Sequence, residues 1–128
     1  MESLRILLVE DEAIISAMVE EALIEAGFVV TAVARGAEAL RLLEDPGEGY
    51  RAIVTDVDLG NGITGWDVAK RAREITPDIP VVYASGGGAT EWSSRGVPNS
   101  VFVAKPFVAA QVVTAVSQLL NQGVAPGM

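Results

Sequence analysis

Four short apolar runs in this chain each end in a polar residue. The runs cover residues 6–9, 52–55, 81–84 and 101–104, and they lead into Glu10 and Asp11, Asp56, Ser85 and Lys105. The stretches between them place apolar residues at helical spacing. This alternation predicts repeated βα units around a parallel sheet. Because parallel strands present their carboxyl ends at one edge of a sheet, we expect the acids, the hydroxyl and the ammonium to share one crevice there.

The same pattern predicts five strands and five helices with no repeat and no second domain. Strands are expected at about residues 4–9, 28–33, 52–55, 79–84 and 101–104. Helices are expected from just after Asp11 to Gly27, over about 37–43, 66–75 and within 89–95, and from just after Pro106 to Gly123. The fold class is therefore α/β, with one doubly wound parallel sheet. The domain is expected over residues 1–123, followed by a short tail at 124–128.

Two helices show an apolar face that should pack on the sheet. In the first helix the predicted face is Ile14, Ile15, Met18, Val19, Ala22 and Leu23. In the last helix it is Ala109, Val112, Val113, Val116, Leu119 and Leu120. Glu12 is expected as an acid in the first turn of the first helix, where it suits the helix dipole. Ser85 and the three glycines after it are expected to form a flexible bend before a short, weakly periodic fourth helix.

Composition excludes several kinds of chemistry. The 128 residues include no cysteine and no histidine, so disulfides, thiolate nucleophiles, Ser-His-Asp catalysis and His-ligated zinc are excluded within this chain. A phosphohistidine, if one is involved, must belong to a partner. The formal net charge of −8 argues against non-specific binding to nucleic acid. The N-terminal apolar run is too short for a signal peptide core or a membrane span. The absence of cysteine fits the cytosol, and a cytoplasmic location is expected.

The motifs together resemble those of response-regulator receiver domains over nearly the whole chain. The features that carry the resemblance are residues 7–12, 54–56, 82–86 and 102–107, and their order and strand-end context matter more than any one of them. The resemblance implies a flavodoxin-like sheet with strand order 2-1-3-4-5. It also implies a two-component signalling role, in which a receiver accepts a phosphoryl group from a phosphohistidine.

The resemblance assigns a role to each strand-end residue. Asp56 would be the phosphoacceptor, Lys105 would neutralise the phosphoryl group, and Ser85 would donate a hydrogen bond to it, with the Gly86 N–H as a second donor. Mg²⁺, or Mn²⁺, would be held directly by Asp11 and Asp56, through water by Glu10, and by the backbone carbonyl of Asp58. Read singly, Asp56 could be a turn residue, Ser85 a turn serine and Lys105 a surface lysine.

Phe102 aligns with the aromatic switch residue of the family, three residues before the lysine. Ser85 moving towards a phosphoryl group would open room for this ring, although ordinary packing of Phe102 is an alternative reading. The resemblance also implies a cis bond before Pro106.

Three features depart from the common pattern. They are the glycine-containing loop at 59–65, the Gly86–Gly88 run with its weak fourth helix, and the pair Asp58 and Gly87, whose positions influence acyl-phosphate lifetime in the family.

The favoured interpretation is a receiver that takes a phosphoryl group from a sensor histidine kinase or a histidine phosphotransfer protein. It would shift conformation, signal by protein contact as a monomer or weak dimer, and hydrolyse its own acyl phosphate without turning over external substrates. Direct DNA binding is not expected. One alternative is an interaction module that is never phosphorylated. Another is a phosphohydrolase, since Asp56-Val57-Asp58 resembles the haloacid-dehalogenase motif, but such enzymes need acids after the lysine and none follows Glu91.

Overall fold

The computed structural model describes residues 3–60 and 62–122. It contains a five-stranded parallel sheet in the order β2-β1-β3-β4-β5. The strands are β1 (Arg5–Val9), β2 (Val29–Val33), β3 (Ala52–Thr55), β4 (Val81–Ser85) and β5 (Val101–Ala104). The helices are α1 (Ala13–Glu25), α2 (Gly36–Leu43), α3 (Gly65–Ile75), α4 (Trp92–Arg95) and α5 (Ala109–Gln122). The fold class and the strand order are confirmed. Gly123 and the tail at 124–128 lie outside the described residues.

The sheet separates two apolar layers because successive side chains of a strand point to opposite faces. One layer joins Leu7, Val9 and Ile53 to residues of α2 and α3. The other joins Leu8 and Val54 to residues of α1 and α5. The central strands β1, β3 and β4 are buried on both faces, which explains why each reads as a continuous apolar run in the sequence.

The predicted apolar face of α1 is only partly correct. Val19 and Leu23 are buried and Ile15 packs against the same layer, but Ile14 is 78% exposed and Met18 is 45% exposed. The apolar stripe of this helix is wider than the surface that the sheet and α5 cover. The two residues at its edge therefore face solvent.

Two further expectations need correction at the ends of elements. Ser85 is the last residue of β4 rather than the start of a bend, because its pairing with Ala104 continues the strand. Glu12 precedes α1 in extended conformation, and the first turn of the helix holds no acid, so its prediction as a first-turn acid is wrong. The predicted end of α1 is confirmed. Gly27 has φ of 102°, and the N–H groups of Gly27 and Phe28 bond to Ile24 and Leu23 in a Schellman arrangement.

The connection from β3 to α3 is held close to the sheet. Leu59 is buried, and Gly60 and Gly62 adopt positive φ, which glycine accepts without strain. Thr64 and Asp67 form a capping box at the start of α3. Gly65 then donates its N–H to the carbonyl of Val57 at 2.7 Å. This loop therefore fixes the backbone that follows Asp56.

The fourth helix lies within the predicted segment and is only four residues long. Trp92 anchors it, since its indole N–H donates to the Ser100 hydroxyl at 2.9 Å and its ring centroid lies 6.2 Å from that of Phe102. The Tyr83 hydroxyl accepts the N–H of Val97 at 3.1 Å. Side chains from β4 and β5 therefore hold this segment in place.

We expect Gly65→Ala to destabilise the protein by about 3 kcal/mol, because a Cβ at this position collides with the Asp56 carbonyl and backbone must move to admit it. Urea unfolding measures the change. Gly87→Ala is the matched control, since its Cβ meets nothing within 4 Å and its change should stay within about 0.5 kcal/mol. Equal stability of the two variants would contradict the close approach.

Candidate functional site

The sheet register brings the strand-end acids together. Val9 pairs with Thr55 across β1 and β3, so Glu10 and Asp56 leave adjacent strands at the same level. The N–H of Asp56 donates to the Val9 carbonyl at 2.9 Å, which ties this end of β3 to β1. The chain order also reverses here, since β2 and β3 lie on opposite sides of β1. Ligands of open α/β sheets bind at such a switch point.

Three carboxylates lie close enough to share one cation. Glu10, Asp11 and Asp56 each offer an oxygen, and these oxygens lie within 4.8 Å of one another. Glu10 and Asp56 are buried, whereas Asp11 is exposed. A set of oxygen ligands with one open side suits a hard divalent cation that keeps some of its water.

Lys105 closes the crevice from β5. Its Nζ lies 2.9 Å from Asp56 Oδ2, 3.0 Å from Glu10 Oε1 and 2.7 Å from Glu12 Oε1. The contact with Glu12 was missed in the sequence. In the sequence, only the position of Glu12 two residues after Glu10 indicated such a contact. The expected role of Glu12 at the helix dipole accounted for the residue without it.

Asp56 is held through both of its carboxylate oxygens. The Ser85 hydroxyl donates to Oδ1 at 2.6 Å, and the N–H of Asp58 donates to the same oxygen at 3.3 Å. Lys105 donates to Oδ2. Ser85 is itself buried. A carboxylate fixed in this way has a defined direction of attack, which a nucleophile requires.

The remaining sequence-predicted residues lie around this centre. Gly86 lies near Lys105, since a Cβ added at this glycine would be 3.9 Å from the lysine side chain. The Asp58 side chain accepts the N–H of Gly60 at 3.2 Å and so shapes the loop. Phe102 lies on β5, half-buried between the core and Trp92, and not among the acids. The Lys105–Pro106 bond is cis, as the sequence implied.

Burial and charge shift two ionisable groups of the site. Burial raises the pKa of Glu10 from 4.5 to about 7, against the lowering effects of the Glu12 N–H and of Lys105. Burial alone would lower the pKa of Lys105. Its hydrogen bonds to the carboxylates of Glu12, Asp56 and Glu10 outweigh the effect of burial and raise this pKa. The lysine is therefore a permanent cation at neutral pH.

Residues 6–117 match the family model described as the response regulator receiver domain. The chain belongs to this family. A crystal structure of a response regulator receiver protein from Sinorhizobium medicae WSM419 has a TM-score of 0.90 at 50% identity, covering 94% of this chain and 96% of that one. The response regulator receiver protein CpdR of Brucella abortus is 31% identical over 91% of this chain and 96% of its own length.

A third similar receiver contains a metal. The receiver domain of the sensor histidine kinase PA1611 from Pseudomonas aeruginosa PAO1 has a TM-score of 0.75 at 24% identity, covering 94% of this receiver and 99% of that chain. It was solved with a magnesium ion coordinated in its active-site cleft. This receiver spans 53% of the length of two transcriptional regulatory proteins from Escherichia coli strains that are 29% identical to it. Those relatives are therefore longer than this chain.

No helix in the described part of the receiver is both long and apolar enough to span a membrane.

The raised pKa of Glu10 predicts a pH-dependent stability in the metal-free domain. The folded state favours the protonated carboxyl, so this stabilisation is complete below about pH 4.5 and is lost as the pH rises through about 7. In EDTA, the free energy of unfolding of wild type relative to Glu10→Gln should fall by about 2–3 kcal/mol between about pH 5 and about pH 7.5. Glu25→Gln, at an exposed position of α1, should show no such trend. A flat or rising difference for Glu10→Gln would contradict the shift.

Proposed function

We propose that this receiver accepts a phosphoryl group on Asp56 from a partner's phosphohistidine and then signals by protein contact. The observation that carries the proposal is the placement of Asp56. Its carboxylate accepts hydrogen bonds from Lys105 and Ser85. One of its oxygens lies within 4.8 Å of oxygens of Glu10 and Asp11, close enough to share a cation. A nucleophile, an ammonium and a hydroxyl donor thus meet beside a candidate metal centre.

Mg²⁺, or Mn²⁺, fits the donor set on chemical grounds. Asp11 and Asp56 would be direct ligands, Glu10 would act through water, and the backbone carbonyl of Asp58 would complete the protein ligands. When bound, the ion would supply positive charge that offsets the repulsion between the acids and an incoming phosphate. The magnesium ion in the PA1611 receiver supports this choice.

The transfer follows from the positions of the protein groups. An Asp56 oxygen forms a bond to phosphorus while the bond between phosphorus and the partner's histidine nitrogen breaks. The electron pair of that bond remains on the imidazole, which takes up a proton. Lys105 and Ser85 then donate hydrogen bonds to the phosphoryl oxygens. Water later hydrolyses the acyl phosphate, so the domain is not expected to turn over external substrates.

Phosphorylation would reach the rest of the domain through Ser85 and Phe102. Ser85 now donates to Asp56 and would turn to a phosphoryl oxygen instead. Phe102 lies on the adjacent strand against Trp92, which belongs to the four-residue helix α4. Displacement of this ring would therefore move α4. Trp92 would report such a step by fluorescence.

An exposed apolar face beside Lys105 suits the phosphodonor. Ile14, Met18 and Val108 are 78%, 45% and 65% exposed, and they lie on α1 and on the segment between β5 and α5. A groove of about 430 Å³ next to them is lined by Glu12, Ile15, Met18, Lys105, Pro106 and Phe107. Since the chain has no histidine, the donor must come from outside. We assign this face to a helix of a histidine kinase or histidine phosphotransfer protein.

The proposal also covers the cellular location and the oligomeric state of the protein. We infer a cytoplasmic protein that acts as a monomer or weak dimer and does not bind DNA directly, in keeping with the formal net charge of −8. A phosphohydrolase is disfavoured because no Asp or Glu follows Glu91 in the sequence. A module that is never phosphorylated is the remaining alternative, and the labelling experiment below separates it from the proposal.

We expect wild type to take up a phosphoryl group from acetyl phosphate with Mg²⁺, and Asp56→Asn to take up none, because the amide is not a nucleophile. A mobility shift in Phos-tag gels measures the label, and hydroxylamine should remove it as it removes acyl phosphates. EDTA should also prevent labelling. The matched control is Asp78→Asn, an exposed aspartate before β4, which should label normally. Equal labelling of wild type and Asp56→Asn would exclude the assignment.

We expect Ile14→Asp to slow transfer from a phosphorylated histidine donor by about tenfold or more, because a charge would replace an exposed apolar side chain of the docking face. Labelling by acetyl phosphate should be unchanged. The new acid lies in the first turn of α1, where it suits the dipole, so the fold should hold.

Ile24→Asp is the control for this docking face. Ile24 is 52% exposed on the same helix, about 15 Å further along its axis. Its substitution should leave transfer from the histidine donor intact. Equal loss of transfer in both variants would contradict the face, and so would no loss in Ile14→Asp. The donor is any phosphorylated histidine kinase or phosphotransfer protein that labels wild type.

A further inference from the structure

Lys105 has as many carboxylate partners as it has N–H donors. An ammonium offers three donors, and its three neighbours here are Glu10, Glu12 and Asp56. The shortest of the three contacts, at 2.7 Å, is with Glu12. The Glu10 and Asp56 side chains are 3% and 7% exposed, whereas that of Glu12 is 59% exposed. Glu12 therefore holds the lysine from the open side of the crevice.

The Glu12 side chain is not used to start α1. Glu12 occupies the N-cap position, yet its side chain makes no capping hydrogen bond among the described residues, and glutamate is not a favoured N-cap. Its backbone N–H donates to Glu10 Oε2 at 3.0 Å, a bond that a side-chain substitution would keep. The carboxylate of Glu12 is thus committed to Lys105 and can be changed without removing a helix cap.

A phosphoryl group on Asp56 would compete with Glu12 for the same lysine. It brings added negative charge and three acceptor oxygens. Glu12 cancels part of the positive charge of Lys105 on the side from which an anionic donor approaches. We infer that Glu12 is a positioning residue that holds Lys105 in the unphosphorylated domain and opposes phosphoryl transfer until it releases the ammonium. This inference rests on the proposed function of Asp56.

The position of Glu12 links this restraint to the docking groove. Glu12 lines the same groove as Met18 and Phe107, beside the exposed apolar face. A partner helix in this groove contacts Glu12 and can draw it away from Lys105. Acetyl phosphate is too small to do so. The restraint is therefore felt most by a small anionic donor, which makes acetyl phosphate the suitable probe.

Labelling kinetics test the role of the charge. Glu12→Gln should take up label from acetyl phosphate with Mg²⁺ about three to ten times faster than wild type, the range that one partly exposed charge can supply. The difference should shrink as KCl is raised, because salt screens the interaction. Glu21→Gln removes the same charge from an exposed position of α1 and should label like wild type. Circular dichroism should show near-native melting for both variants.

A spectroscopic measurement tests the contact without metal or donor. The chain has two lysines, Lys70 and Lys105, so selective ¹⁵N-lysine labelling gives two ammonium signals. In metal-free Glu12→Gln, the Lys105 signal should shift and lose protection from exchange. Lys70 is exposed on α3 and should be unaffected, which makes it an internal control.

The outcomes separate the two proposals. If wild type takes up label but Glu12→Gln takes it up no faster, the role of Glu12 is overturned. The same holds if the Lys105 signal is unchanged in Glu12→Gln. Either result leaves the assignment of Asp56 as the phosphoacceptor intact. Wild type that takes no label from acetyl phosphate or from a histidine donor contradicts the proposed function itself.

Discussion

Repulsion among carboxylates that the sheet forces together is the interaction on which the site depends. Glu10, Glu12 and Asp56 contact the ammonium of Lys105, and an oxygen of Asp11 lies within 4.8 Å of oxygens of Glu10 and Asp56. At about 4 Å, each like-charged pair costs about 1 kcal/mol even in water and more in a buried crevice. The raised pKa of Glu10 comes first from its burial, and the negative charge of Asp56 adds to it. A bound divalent cation would be a further response to the repulsion, because it would lower the cost without protonating any acid.

The frame that keeps these acids in place is built from backbone rather than from side chains. Register places Glu10 beside Asp56, and the close approach of Gly65 to the Asp56 carbonyl fixes the chain on the other side. Ser85 also ends a paired strand. Sites built on strands are more precise than sites on loops, so Asp56, Ser85 and Lys105 are held in a defined arrangement before any ligand binds.

The sequence alone was enough to predict the fold and the grouping of most candidate site residues, because both follow from where the apolar runs end. Buried parallel strands read as continuous apolar segments, and the residue after each one is placed by topology. Glu12 could not be found in this way. Its partner lies 93 residues away, and only the three-dimensional position of the β5 end shows that the side chain reaches Lys105. The exposure of Ile14 and Met18 was equally hidden, since periodicity marks an apolar stripe but does not say how much of it the sheet covers.

Under the proposed docking, the uncovered part of α1 would give the helix a second function beside its packing on the sheet. Val19 and Leu23 hold it to the sheet, while Ile14 and Met18 remain exposed and Met18 lines the same groove as Lys105. Apolar side chains at such a position add nothing to the stability of the free domain, and burial against a partner would make them favourable. Because Glu12 lines the same groove, docking and release of the lysine would occur in one place. A partner that fills the groove would then gain apolar contacts and free the ammonium in a single step, whereas a small donor gains neither.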